Sequence, residues 1–248
     1  MLVGQELLVP APSTVVTTLV GLAGTAQFWQ VVGWSLVRIG LGFVAGVVAG
    51  CAAAALTHGS RVADALLSPA LRVGRAAPVA SFVILALVWI PTGRLPVFIA
   101  FLMVVPVVWD NISQGLRQLD PQLLELADVF RLGWWEIVRR IRVPSLVPFL
   151  TTACATGMGL AWKSGVAAEV ISRPYLSIGG ELQNAKVYLD TPGVFSWTVV
   201  VVALSMLLEK LLRVLAARWN RRFGSAAPGS DPGSVGRPQR EGALDAEL

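Results

Sequence analysis

Charge is scarce in this chain. Of its 248 residues, 14% are Asp, Glu, Lys or Arg, little more than half of the roughly one-quarter share typical of soluble domains. Cysteine is scarcer still. Cys51 and Cys154 both fall inside apolar runs, so they support no disulfide framework, and no Cys-x-x-Cys or Cys/His cluster offers a metal site. His58 is the only histidine, which argues against a histidine-dependent hydrolase. Lys and Arg are absent before Arg38, and residues 1–33 show neither the basic start nor the sustained apolar core of a cleavable signal. What fills the sequence instead is apolar: 55% of all residues, with a mean hydropathy of +0.68. Most of such a chain lies in lipid, and its pI near 9.9 is no sign of nucleic acid. The expected architecture is all-α, a polytopic bundle of transmembrane helices.

A bilayer core about 30 Å thick takes roughly 20 apolar helical residues to cross. Five stretches qualify as spans: residues 34–56, 76–90, 95–112, 146–171 and 194–212. Arg38 sits near the outer end of the first, where a long side chain can snorkel to the headgroups. The second is short. Pro91, Thr92 and Gly93 turn the chain into the third, which Pro106 is expected to kink. Three domains follow: an outer N-terminal segment 1–33, a membrane domain 34–216, and a cytoplasmic tail 217–248. From Gly224 onward that tail is rich in Gly, Pro, Ala and Ser and lacks the apolar residues to form a core.

Five spans place the termini on opposite sides, and basic residues decide which. Arg61, Arg72 and Arg75 follow the first span; Arg117, Arg131, Arg139, Arg140 and Arg142 follow the third; Lys210, Arg213, Arg218, Arg221 and Arg222 end the last. The intervening segments hold only Arg94, Arg173 and Lys186. The C-terminus is therefore expected in the cytoplasm.

The loop 115–144 is too structured for a connector. Asp120 and Pro121 read as an N-cap and first helical residue, and Leu123, Ala127 and Phe130 recur at helical spacing. A bend near Gly133 precedes a second short helix with Trp134, Ile137 or Val138, and Ile141 on one face and arginines on the other. Pro144 is expected to end it. Such helices could lie on anionic headgroups or dock a cytoplasmic partner.

Glu125, Ala127, Ile141 and Pro144 resemble the EAA loop of binding-protein-dependent ABC importer permeases. Ser35, Arg38, Gly42 and Phe43 look like the S-x-x-R-x-x-x-G-F start of a span in the nitrate/sulfonate/taurine-type members. Pro78, Ala80 and Trp89 fit their next span, Asn111 and Gly115 their N-x-x-x-G exit, and Ala161, Trp162, Ala168 and Glu169 their fifth-helix pattern. The likeness runs in order over residues 8–219. It implies two permease copies, both of this same chain, in a bacterial inner membrane, with separate ATPase subunits below that bind the ATP and an extracytoplasmic binding protein above. It also implies no cofactor and no catalytic residue in this chain, and no nucleic-acid partner. Glu125 and the Ala127/Phe130 face, with Gly133, Ile141 and Pro144, would transmit motion from the ATPase. Such permeases usually have six spans, and residues 8–13 resemble the segment after the first, so one span is expected upstream of the present start.

One departure concerns the bend. Where the family carries Gly six residues after the EAA glutamate this chain has Arg131, with Gly133 two residues later, so the bend is expected to shift. Gly157 to Ser164 imitates a phosphate-binding loop, but Trp162 stands where its final Gly belongs and the segment lies within a span. The remaining candidates are polar groups in the membrane, each charge costing roughly 2.5–3.5 kcal/mol at mid-bilayer. Lys163, Glu169, Trp162 and Asp110 are the candidates for the translocation path. Lys163 and Glu169 lie about 120° apart around a helix and roughly 9 Å along it, so they are poor partners for each other. Lys163 either attracts an anionic or polar group in the path, joins a structural ion pair, or snorkels. Gly42, Gly46 and Gly50, at every fourth position, suggest close helix packing or, less simply, a narrow pore wall. Ser177 to Gly180 resembles the family's short loop-helix before the last span, which could form an outer gate or meet the binding protein, and Asp190 with Pro192 caps the last helix. The alternative function is a proton- or ion-coupled secondary transporter using Asp110, Lys163 and Glu169.

Overall fold

The computed structural model describes residues 10–223 except 77, 120, 121, 123, 124, 126 and 128. Its elements are helices: α1 (Pro12–Ala23), α2 (Ala26–Gly59), α3 (Arg61–Ala76), α4 (Val79–Ala86), α5 (Leu95–Arg117), α6 (Trp134–Ser172), α7 (Ile178–Val187) and α8 (Thr191–Phe223). Among the described residues α2, α5 and α6 are each long and apolar enough to cross a membrane, and the bent pair α3–α4 makes a fourth if it is one span. The last expected span lies inside α8, which carries no charge between Asp190 and Glu209.

Two expectations need correction. Residues 76–90 do not form one straight span. Pro78 disfavours helix in the residue before it, so α3 and α4 meet at 106°, and the 8 residues of α4 reach only about 12 Å. Nor does Pro144 end a helix. A π-helical turn over Val138–Arg142 leads directly into Val143–Ser172. Pro144 therefore occupies a first-turn position of the α-helical stretch, where its missing N–H costs little, and Ser145 Oγ donates to Ile141 O at 2.8 Å. An element not foreseen is α1, whose Pro12 starts it and whose 12 residues are too few for a span.

Lipid tails are as apolar as leucine, so these helices associate by close contact rather than by escape from water. The small residues of α2 supply that contact. A Cβ on Gly42 would come 2.3 Å from Val97 O, one on Gly46 2.7 Å from Val104 Cβ, and one on Gly50 2.7 Å from Val108 Cβ. All three meet α5, so the glycine stripe is a packing surface and not a pore wall. Gly115 likewise admits Phe149 to α5, and Gly165 admits Ile39 to α6. At the α1 end Phe28 stacks on Trp197 of α8 with centroids 5.3 Å apart. Thr25 caps α2 by accepting from Phe28 N.

Candidate functional site

Three separate stretches of sequence meet around one carboxylate. Glu169, near the Ser172 end of α6, is fully buried. Ser35 Oγ of α2 donates to its Oε2 at 2.8 Å, and the backbone N–H of Gly179 donates to the same oxygen at 3.2 Å. Arg38 lies one turn beyond Ser35, on the same face of α2; its Nη1 is 3.5 Å from Glu169 Oε1. Its guanidinium also donates to the carbonyls of Leu176, at 2.9 Å, and Tyr175. Arg38 thus does not snorkel to headgroups. A buried carboxylate and two inward carbonyls outcompete the membrane surface for its donors, since planar guanidinium serves several acceptors at once. It also lies 5.8 Å from the centroid of the Trp34 ring.

This cluster fixes the outer loop-helix. Ser177 caps α7 by accepting from Gly180 N at 3.1 Å, and Ile178 N donates to Ser35 Oγ at 3.0 Å. Gly179 is obligatory, because a Cβ there would come 2.4 Å from Val170 N and 2.5 Å from Glu169 Cβ. Asp190 then caps α8, its Oδ1 accepting from Gly193 N at 3.1 Å, as its place before Pro192 suggests.

The loop at the opposite end is built around a left-handed residue. Gln122, Glu125, Ala127 and Val129 are helical, whereas Asp120, Pro121 and Leu123 lie outside the described residues. Leu132 N donates to Ala127 O at 3.0 Å, and Arg131 between them has φ 51°. This is the Schellman arrangement, in which the residue after the helix turns left-handed. The bend therefore stays at Arg131. Gly133 has φ −65° and ψ 153°, which any residue adopts. Glu125 is exposed, Ala127 is 1% exposed and Phe130 69%. Beyond the bend Trp134 and Trp135 are exposed as well, while Ile137, Val138 and Ile141 are half-buried. Arg140 pairs with Glu136 at 3.6 Å.

The candidates for the path do not converge. Asp110 of α5 pairs with Arg75 of α3 at 2.7 Å, a partner hidden from sequence reading by the α3–α4 break. Trp162 is buried and its Nε1 donates to Val201 O of α8 at 3.0 Å. Glu169 is held as above. Lys163 is exposed on another face of α6, in a groove with Thr156, Gly159, Glu209 and Arg213. Asp110, Lys163 and Glu169 thus form no relay of protons or ions. Residues 157–164 are continuous helix and present no loop of backbone N–H groups to a phosphate. Among the described residues no cluster of His, Cys, Asp and Glu could hold a metal.

Comparison with known proteins points one way. Residues 42–221 match the family described as binding-protein-dependent transport system inner membrane component. A probable ABC transporter permease protein of Brucella abortus is 30% identical over 217 residues, 86% of each chain. The taurine transport system permease protein of Escherichia coli is 25% identical over 220 residues, covering 86% of this chain and 80% of its own. A solved amino acid ABC transporter shares the fold with a TM-score of 0.65 at 16% identity, over 84% of this chain and 96% of that one.

Proposed function

This chain belongs to the binding-protein-dependent transport system inner membrane component family and is the permease subunit of an ABC importer, and from that premise we propose that it imports a small polar nutrient of the nitrate, sulfonate or taurine kind. The family implies an ATPase partner and a substrate-binding protein. Two copies of this chain line the path, in a bacterial inner membrane, with the C-terminus and the loop 115–144 on the ATPase side, where the basic segments gather. The chain itself hydrolyses nothing and holds no cofactor; ATP belongs to the ATPase subunit.

The observation that supports the coupling role is the loop's surface. Val129, Phe130, Trp134 and Trp135 stand exposed together around the Arg131 bend, beside the exposed Glu125. Exposed apolar side chains gathered at such a bend fit a protein or membrane contact, and here we read them as a protein contact. Glu125 and Phe130 engage the ATPase, while Ala127 seats the loop; Gly133, Ile141 and Pro144 join it to α6. Closure of the ATPases on ATP then pulls a lever joined through the Arg131 bend to a 39-residue helix.

The reading is tested by affinity purification of the chain from its native membrane with mass spectrometry of what accompanies it. A nucleotide-binding subunit should co-purify, and its recovery should fall when Glu125 is replaced by Ala. Uptake should collapse on ATP depletion and survive dissipation of the proton gradient. Absence of any ATPase under conditions that preserve other complexes would overturn it.

A further inference from the structure

One membrane-level face of the chain is polar. The other exposed stripes are apolar: Val37, Leu41, Val44 and Val48 along α2, and Val199, Val202 and Met206 along α8. Between α6 and the later part of α8, by contrast, runs a groove of about 700 Å³ lined by Thr151, Thr152, Thr156, Gly159, Lys163, Glu209 and Arg213, among others. Thr152, Thr156, Gly159 and Lys163 follow one another at four, three and four residues, a single stripe of α6. Lys163 lies nine residues from Ser172, about 13 Å along the helix. That is farther than its own side chain can reach, so it cannot snorkel out past that end. Its side chain leans toward the helix N-terminus, over the turn of Gly159 and Thr156.

The charges of the groove are unequal. Arg213 is met by Glu209 at 3.5 Å, and a Cβ on Gly159 would come 3.1 Å from Glu209 Oε1, so the absence of a side chain there gives that carboxylate its place. Lys163 makes no ion pair or hydrogen bond among the described residues, and neither does Thr156. The hydroxyls of Thr151 and Thr152 are already given to Pro148 O, at 2.8 and 3.0 Å. Two unpartnered donors therefore remain on one stripe, one of them a cation, at a depth where a charge facing lipid is costly.

We propose that Lys163, with Thr156, forms an anion-attracting station on a water-filled groove of the translocation path. The inference rests on the permease reading and assigns the path a residue that meets the solute's anionic group. The structural ion pair that sequence left open finds no partner for Lys163 among the described residues, where Glu209 of the same groove is met by Arg213.

The test needs no knowledge of the substrate. In the purified complex with its ATPase, with Cys51 and Cys154 replaced by alanine, a single cysteine is placed at Thr156→Cys and, as reference, at the exposed Tyr188→Cys. Each is reacted with a sulfonate-bearing and a trimethylammonium-bearing methanethiosulfonate. After division by the reference rates, the anionic reagent should react roughly tenfold faster at position 156. Lys163→Gln should bring that ratio to about one, and Lys163→Arg should keep it. A cysteine at position 156 that stays unreactive while position 188 reacts would overturn the proposal. So would a ratio near one, or a ratio that Lys163→Gln leaves unchanged. A preference present in phosphatidylcholine nanodiscs and abolished in phosphatidylglycerol ones would give the station to a lipid phosphate and also overturn it. Failure of the permease reading shows separately, as loss of the co-purifying ATPase.

Discussion

Ser35 Oγ and Glu169 Oε2 lie 2.8 Å apart and join residues 134 positions distant in sequence. The bond ties α2 to α6, and through Ile178 N and Gly179 N it also holds the start of α7. Removing one partner of a buried charged pair leaves the other uncompensated, at a cost of about 3–5 kcal/mol. Glu169→Ala should therefore lower the thermal midpoint of the detergent-solubilised complex sharply, followed as the fraction surviving size-exclusion after heating. Arg38→Gln should cost a comparable amount, because it leaves the fully buried Glu169 carboxylate without its counter-charge. The double variant should cost less than the sum of the two. Additive losses would show that Arg38 and Glu169 do not act as a pair.

The α2–α5 contact makes a graded prediction. Gly46→Ala drives a Cβ to within 2.7 Å of Val104 Cβ and 3.1 Å of Phe101 O, and overpacking of this kind costs about 1–3 kcal/mol. Gly33 lies in the same helix with nothing within 4 Å of its added Cβ, so Gly33→Ala should stabilise by about 0.5–1 kcal/mol through backbone entropy alone. The two midpoints should move in opposite directions. If both fall, helix packing at the glycine stripe is not the cause.

Gly42, Gly46 and Gly50 could be read from sequence because their meaning is periodic: a helix places every fourth residue on one face, whatever the partner. Arg38 could not, because its role depends on Glu169 and on carbonyls of a loop that no local pattern brings near. Helical spacing within the loop 115–144 could be read from sequence, yet Pro144 ends no helix, since a π-helical turn absorbs it. Apolar composition ran unbroken across Pro78 and concealed the 106° bend there. The same bend brings Arg75 to Asp110, which is why Asp110 read as a lone charge. Lys163 was legible as an anomaly, but only the groove shows that, among the described residues, the acid beside it there, Glu209, is met by Arg213 instead.

The left-handed Arg131 carries a prediction of its own. A residue with a Cβ at φ 51° is strained by roughly 1–2 kcal/mol relative to glycine. Arg131→Gly should therefore make the loop more resistant to limited proteolysis and raise stability by about 1 kcal/mol. Gly133→Ala should change neither, because φ is −65° there and the added Cβ meets nothing within 4 Å. Reversal of these two results would place the bend at Gly133 after all.

The exposed apolar loop separates coupling from folding. Phe130 is 69% exposed, so within this chain it contributes little packing, and Phe130→Asp should leave the thermal midpoint of the isolated permease unchanged. In the proposed contact with the ATPase the same side chain would be buried, and burying a phenylalanine is worth about 1.5–3 kcal/mol. Its loss should thus weaken recovery of the ATPase by tenfold or more, since 1.4 kcal/mol is a factor of ten in an equilibrium constant. Trp134→Ser should behave alike. Arg140 faces Glu136 on the exposed surface at 3.6 Å, a pair of little strength, so Arg140→Gln should alter neither quantity. A fall in midpoint that accompanies the lost ATPase would mean that the patch is part of the fold. ATPase recovery that persists in both apolar variants would mean that the lever is gripped elsewhere.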